Sequence, residues 1–368
     1  MKIQAAVVHE VGQPFQIEEV ELAEPKFGEC LVKIVASGVC HTDEVAQHGQ
    51  IPVPLPAVFG HEGCGVVEAV GPGVTDFQVG DRVGFSYGFC GKCENCLSAH
   101  QHACENFNAI NFGGVMSDGT RRLSQNGQEL SSFFGQSSFA TYSVVNQSSM
   151  IKVEDPDIDL ALVGPLGCGI QTGAGAVLNR LRPKFGSSLA VFGCGTVGMS
   201  AIMAARIAGC QTIIAVGGNP ASLELARELG ATHTINRKET EDIVAAIKDL
   251  THGGVHYAID TTGVGDFVRK ALASCRFMGT AVVLGATGDL TINVQAELMG
   301  DAKSLIGIVE GDAVSKLFIP KLLEYYRAGQ FPFDRLIKFY DFKDINQAFA
   351  DSHSGKVIKA VLRMDGKA

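Results

Sequence analysis

The sequence predicts an α/β protein of two domains, one strand-rich and one doubly wound around a parallel sheet covered on both faces. Three observations carry this. Between residues 188 and 285, short apolar strands alternate regularly with amphipathic helical segments. A glycine-rich turn, Gly193-Cys194-Gly195-Thr196-Val197-Gly198, joins the first of these strands to the helix that follows it. At 368 residues the chain is long enough for two domains, each with its own core.

Taken in order, residues 4–9, 15–21 and 30–37 read as strands, with β-branched or alternating apolar residues between Gly and Pro breaks. Val39 to Asp43 opens a short helix, and a proline-rich link follows at 51–56. Gly80-Asp81-Arg82-Val83 is a turn feeding a strand. Residues 107–137 are rich in Gly, Ser, Asn and Gln with weak periodicity, and predict a long surface excursion before a strand at 138–145. A helix is expected at 172–181. In the doubly wound part, strands at 188–192, 212–216, 233–236, 256–260 and 280–285 alternate with helices at 199–208, 222–229, 239–250 and 266–274. Ser304 to Val309 forms one more apolar strand, and 309–368 return to strand-and-helix pieces that complete the first domain.

Composition narrows the partners. Hydrophobic residues make up 46% and charged residues 19%, the balance of an ordinary soluble globular protein. A formal net charge of −9 argues against a nucleic-acid surface or an anionic membrane as partner. The N-terminus opens directly into an apolar strand without a secretory h-region, and no apolar run reaches the length of a membrane span. Eleven cysteines without such a signal point to a reducing compartment, and the expected location is the cytoplasm.

Four of those cysteines fall within fifteen residues: Cys90, Cys93, Cys96 and Cys104, spaced C-x2-C-x2-C-x7-C. Three thiols two residues apart, with a fourth one loop away, can close a tetrahedron around one ion, and zinc suits a site with no open position. Disulfides are disfavoured by the odd cysteine count; an iron–sulfur cluster stays open on spacing alone. Gly193, Gly195 and Gly198 match the dinucleotide fingerprint in its required setting, after an apolar strand and before a helix. Such glycines allow the tight turn and let a pyrophosphate approach the helix N-terminus. Cys40, His61 and Cys168 together supply two thiols and one imidazole, the donor set of a catalytic zinc with an open fourth position, although their spacing does not show that they converge.

The order of Gly60-His61-Glu62-Gly63-Cys64-Gly65, Gly80-Asp81-Arg82-Val83, the four-cysteine loop, Cys168 and the dinucleotide fingerprint resembles that of zinc-dependent medium-chain alcohol dehydrogenases over essentially the whole chain. The stretches Ser86 to Cys93, Gly164 to Gly173 and Phe331-Pro332-Phe333-Asp334 look most like the bacterial aryl-alcohol (benzyl-alcohol) branch. The resemblance implies a GroES-like, mainly-β catalytic domain at 1–169 and 309–368, and a Rossmann dinucleotide domain at 170–308. It implies two zinc ions per chain, with Cys40, His61 and Cys168 holding the catalytic one and Cys90, Cys93, Cys96 and Cys104 the structural one. Asp43 would orient His61, Glu62 would sit close to the metal, and Thr42 would hydrogen-bond the substrate oxygen. His41 and Lys359 would meet the cofactor pyrophosphate and Thr172 the nicotinamide. The implied reaction is hydride transfer between a primary aromatic or allylic alcohol and a nicotinamide, with the aldehyde as product, in a homodimer or homotetramer paired through the strand at 304–309. A polyol or aliphatic alcohol dehydrogenase, a zinc-free quinone reductase and a non-catalytic protein on the same fold are the competing readings; the last two would lack zinc ligands.

Two positions depart from the pattern. Where many relatives place a histidine at the end of a proton relay, this chain has Val45, with His48 one helical turn further on. Where NAD-dependent relatives end the second strand of the nucleotide domain with an aspartate on the adenine ribose, this chain has Gly217, followed by Gly218-Asn219-Pro220-Ala221-Ser222. Loss of that carboxylate removes both a contact to NAD and a repulsion against a 2′-phosphate, so NADP is favoured over NAD. Asn219, Ser222 and the N–H groups of Gly217 and Gly218 are the expected donors to the phosphate. No Lys or Arg stands in that loop; Arg227 is a helical turn away and Arg237 follows the next strand.

Overall fold

The structure, a computed structural model, describes residues 1–366. The chain packs as two units. The first comprises Met1–Cys168, Val314–Lys321 and Asp334–Ala368, the second Gly169–Ala313 and Leu322–Phe333.

The first unit holds two sheets. Strands β1 (Lys2–Val8), β2 (Gln16–Leu22) and β3 (Glu29–Gly38) lead to the short helix α1 (His41–Gln47), then to β4 (Ala57–Val58), β5 (Gly63–Val70) and β6 (Arg82–Phe85). The short helix α2 (Glu94–Leu97) lies within the cysteine loop and contains Cys96, and α3 (Phe107–Phe112) follows the loop. The hairpin β7 (Leu123–Gln125) and β8 (Gln128–Leu130) is followed by β9 (Tyr142–Asn146) and β10 (Met150–Lys152). One sheet has the order β4-β1-β2-β7-β8. The other runs β10-β6-β5-β3 and is completed by strands from the C-terminal segment, with β9 also paired to β3.

Residues 107–137 do not form the surface excursion expected from their composition. β7 pairs with β2, and Met116, Leu123, Leu130, Phe133 and Phe134 are buried. Buried polar residues of the segment find internal partners: Asn111 bonds the backbone of Gly88 in both directions, and Gln136 donates to the Ser86 carbonyl. Weak periodicity arises because buried polar groups here take the place of apolar ones.

The second unit begins with α4 (Gly169–Gly175), which continues as a π-helical turn at Ala176–Leu181. Strands β11 (Ser188–Phe192), β12 (Thr212–Gly217), β13 (His233–Asn236), β14 (Val255–Asp260), β15 (Cys275–Val283) and β16 (Ser304–Gly307) form one parallel sheet in the order β13-β12-β11-β14-β15-β16. The intervening helices are α5 (Thr196–Ile207), α6 (Pro220–Leu229), α7 (Ile243–Thr251) and α8 (Gly265–Ser274). β11 is buried along its whole length, as a central parallel strand with both faces covered must be. The chain stays with this unit past 308, where the sequence reading placed the boundary. The Gly311 carbonyl packs onto Gly175, where a side chain on either glycine would collide with the other's backbone. Helix α9 (Ser315–Arg327), β17 (Ile337–Asp341), α10 (Ile345–His353) and β18 (Lys359–Arg363) complete the chain, and β18 lies between β3 and β17. No single helix among the described residues is long and apolar enough to cross a membrane.

Candidate active site and metal centres

Sheet register brings the first three candidate ligands together. β3 and β5 pair antiparallel so that Ser37 faces Gly63, and the Gly38 N–H donates to the Glu62 carbonyl at 3.0 Å. The end of β3 therefore lies beside the start of β5, which sets Cys40 near His61. Cys40 is extended (φ −129°, ψ 150°) and caps α1, putting Asp43 in the first turn. Asp43 is fully buried and accepts from the Gly60 N–H and pairs with His61 Nδ1, each at 3.0 Å. Gly60 turns the chain at φ +94°, and a β-carbon there would stand 2.5 Å from the Phe139 backbone nitrogen. Cys168 follows a 3-10 turn, Gly164–Gly167, pressed directly against the backbone of Glu62 and Phe85. Ser86 Oγ fixes that turn by donating to the Gly167 carbonyl at 2.7 Å.

The result is a buried cluster in which one ligand atom each from Cys40, His61, Glu62 and Cys168 lies within 4.8 Å of the others. Sγ of Cys40 and Cys168 are 3.9 Å apart. Two thiolates on one tetrahedral zinc, with Zn–S near 2.3 Å, are separated by about 3.8 Å. His61 is 1% exposed, and its Nε2 has no hydrogen-bond partner although Nδ1 is engaged by Asp43. A buried imidazole nitrogen held in this way is what a metal ligand requires. The hydrogen-bonded Cys168 thiol, assisted by the His61 charge and opposed by burial, holds Cys40 well below the usual thiol range. Burial acts most strongly on His61 and pulls its pKa down, yet the Asp43 carboxylate and the Cys40 thiolate together lift it well above its ordinary value. The 3.9 Å separation of the two sulfurs and the partnerless Nε2 of His61 fit a divalent cation of zinc's preferences. The His61 ring also stacks on Phe134, with centroids 4.6 Å apart, and meets the edge of Phe133 at 5.7 Å.

Thr42 lies beside the thiol, its Oγ1 3.7 Å from Cys40 Sγ. Glu62 is fully buried and ion-paired with Lys359, whose Nζ reaches its two carboxylate oxygens at 2.8 and 2.7 Å and also donates to the Val39 carbonyl at 2.9 Å. Burial pushes Glu62 up to about 8 against the pull of Lys359. Lys359, for which the resemblance implies a contact with the cofactor pyrophosphate, is 2% exposed here and turned onto Glu62. His41 does point outward, 77% exposed, with Nδ1 on Glu44 Oε2 at 2.9 Å, while His353 holds the other Glu44 oxygen at 2.7 Å. His48 bonds the Glu44 carbonyl through Nδ1 at 2.8 Å, and Val45 lies on the same helix.

The second thiol cluster also closes. Cys90, Cys93, Cys96 and Cys104 bring their sulfurs within 4.8 Å of one another, with Cys90 and Cys96 3.9 Å apart. Backbone N–H groups, Lys92's foremost, lower Cys90 to about 6, whereas burial raises Cys96 to about 12. All eleven cysteines are free thiols.

In the second unit, Gly193 turns at φ +104° and a side chain there would strike Thr261. Gly198 packs on the Gly193 carbonyl, the close helix–strand approach its place in the fingerprint demands. A β-carbon on Gly195 would meet nothing within 4 Å, so the mouth of the turn is open to a pyrophosphate. Thr172 sits half-buried on α4, and Asn219 caps α6 through Oδ1, 3.0 Å from the Ala221 N–H. Gly217 is buried, and a β-carbon on it would stand 2.9 Å from Cys194 Sγ. Gly218 has basic neighbours that the sequence had placed at a distance: Arg237 and Lys238 lie against it. Sequence reasoning also missed Phe133 and Phe134 around His61, since they close a segment read as surface; the adjacent aromatic pair was the available signal.

Residues 26–155 match the alcohol dehydrogenase GroES-like domain and residues 196–324 the zinc-binding dehydrogenase family. The chain is 45% identical over 363 residues to a geraniol dehydrogenase from Castellaniella defragrans, covering 98% of this chain and 97% of the relative. It is 39% identical to an S-(hydroxymethyl)glutathione dehydrogenase from a Synechocystis strain, over 98% of this chain and all of that one. Among solved structures, benzyl alcohol dehydrogenase from Acinetobacter calcoaceticus superposes with a TM-score of 0.95 at 43% identity, over 99% of both chains. An alcohol dehydrogenase zinc-binding domain protein from Burkholderia ambifaria does so at 0.95 and 49%, over 99% of both. Identity of this extent, spanning the GroES-like and Rossmann-like parts alike, shows that the chain belongs to the zinc-dependent medium-chain alcohol dehydrogenase family.

Proposed function

We propose that this protein interconverts primary aromatic or allylic alcohols and their aldehydes, with NADP in preference to NAD. In this reading Cys40, His61 and Cys168 hold a catalytic zinc and Cys90, Cys93, Cys96 and Cys104 a structural one, in a cytoplasmic homodimer or homotetramer. The observation that carries it is the buried convergence of two thiols, an imidazole nitrogen without a partner and a carboxylate. The substrate class rests on relatives named for geraniol, an allylic alcohol, and for benzyl alcohol.

Zinc supplies a Lewis acid for the alcohol oxygen, and the nicotinamide supplies the hydride acceptor. The chain's own residues do the rest. Asp43 fixes the His61 tautomer, so that Nε2 faces the donor cluster. Thr42 Oγ1 lies within reach of the same cluster, where it accepts the hydroxyl proton and relays it outward. Val45 offers no base for the next step, so His48 or water receives the proton. The Glu62–Lys359 pair keeps a carboxylate at the donor cluster without leaving its charge uncompensated. Gly193, Gly195 and Gly198 cradle the pyrophosphate, with Thr172 toward the nicotinamide and His41 toward the phosphates. At the adenosine end, Gly217, Gly218, Asn219 and Ser222 present no carboxylate to repel a 2′-phosphate.

The test combines a kinetic panel with metal analysis. Benzyl alcohol and geraniol should show higher kcat/KM than ethanol or sorbitol, and the protein should carry two zinc ions per chain. Cys168→Ala should abolish turnover while leaving a folded protein with one zinc. Higher kcat/KM for ethanol than for benzyl alcohol would overturn the substrate class, and normal turnover of Cys168→Ala would overturn the site.

A further inference from the structure

The end of β12 carries an arrangement that the loop sequence Gly217-Gly218-Asn219 does not disclose. β12 and β13 pair in parallel with Gly217 opposite Asn236, and the Arg237 N–H donates to the Gly217 carbonyl at 2.8 Å. This tie delivers the two residues that follow β13 to the edge of the glycine turn. A β-carbon placed on Gly218 would stand 2.9 Å from Arg237 Nε and 3.3 Å from Arg237 Cζ and Lys238 Cε. The bare glycine is thus what lets both side chains lie there.

Neither cation is neutralised. Arg237 and Lys238 are exposed, and no carboxylate among the described residues is ion-paired with either. The nearest acid in sequence, Glu239, is turned to Asn236, whose Nδ2 reaches its Oε1 at 2.7 Å. Arg237 Cζ lies 5.6 Å from the centre of the Phe267 ring, which gives the guanidinium a surface to rest on. On a chain with a net charge of −9, two adjacent unpaired cations beside a turn without side chains form a local anion receptor. A planar guanidinium matches a phosphate bidentately and an ammonium adds charge.

We propose that Arg237, supported by Lys238, binds the 2′-phosphate of the adenosine ribose. Cofactor choice is then set from the loop after β13 and not by the neutral donors after β12. The proposal rests on the NADP reading above and goes further by naming the residues that decide it. Cys194 completes the arrangement: its Sγ occupies the space beside Gly217 that an acidic side chain would need.

Isothermal titration with 2′,5′-ADP and with 5′-AMP tests this without turnover, on the wild type, Arg237→Ser and Arg237→Ser/Lys238→Ser. Both substitutions are at exposed positions, so the variants keep the fold. Affinity for 2′,5′-ADP should fall about tenfold in the single variant and further in the double, since each removes a charge-assisted contact. Affinity for 5′-AMP should stay within about twofold, because it lacks the group recognised. Equal weakening for both ligands would assign Arg237 to the adenine or the 5′-phosphate and overturn the proposal. An undiminished 2′,5′-ADP affinity in both variants would overturn it too, while leaving the NADP reading standing. A wild type that binds 2′,5′-ADP no more tightly than 5′-AMP would instead overturn the NADP reading, and this proposal with it.

Discussion

Lys359 is 2% exposed, so its ammonium has almost no water to solvate it and depends on the Glu62 carboxylate and the Val39 carbonyl. Removing one member of a buried ion pair strands the other, which costs about 3–5 kcal/mol. Lys359→Met should lower the unfolding free energy by that order in a urea titration. Adding Glu62→Gln should restore most of it, because a neutral amide tolerates the site. Cofactor affinity is the second readout. If Lys359→Met left stability intact and weakened NADPH binding instead, Lys359 would be a pyrophosphate ligand after all. Gly38 belongs to the same constellation: a side chain there would occupy the place of Glu62 Oε2, so the end of β3 must remain bare for the carboxylate to fit.

At the scale of elements, the segment 107–137 behaves as core. Phe133 is fully buried and contacts Phe59 at 5.1 Å edge-on, Phe134 at 4.9 Å and Phe112 at 5.9 Å, as well as the His61 ring. Phe133→Ala should cost about 3–5 kcal/mol, the range for truncating a buried aromatic side chain. A position on a surface excursion would change stability by no more than about 0.5 kcal/mol. Chemical denaturation separates the two outcomes. Phe133 and Phe134 also hold the imidazole plane that Asp43 orients through Nδ1.

At the scale of the whole molecule, β16 lies at the edge of the parallel sheet, with Leu305 and Ile306 half-buried and one row of backbone groups unpaired by β15. An apolar edge strand of this kind invites pairing with another chain. The proposed homo-oligomer therefore predicts a light-scattering mass at least twice the 38.9 kDa of the chain at micromolar concentration. A Leu305→Lys variant should shift the population toward monomer by placing a charge at the seam. A wild type that scatters as a monomer would count against pairing through β16.

What the sequence determined by itself was whatever depends on short separations along the chain. The spacing of Cys90, Cys93, Cys96 and Cys104 marks a candidate metal site because three of the four sit on one tight loop. The Gly193-x-Gly195-x-x-Gly198 turn and the strand–helix alternation around it are legible for the same reason: strand and helix periods are local properties. Tertiary structure alone decided the contacts that sheet register creates. Glu62 and Lys359 are 297 residues apart, and they meet because β18 pairs with β3 and so carries Lys359 to Val39. Arg237 reaches Gly218 because β13 lies beside β12, a neighbour relation that no reading of the glycine loop contains. The serines, asparagines and glutamines of 107–137 looked solvated because a polar residue's burial depends on whether the fold supplies its hydrogen-bond partners, and those partners come from distant segments.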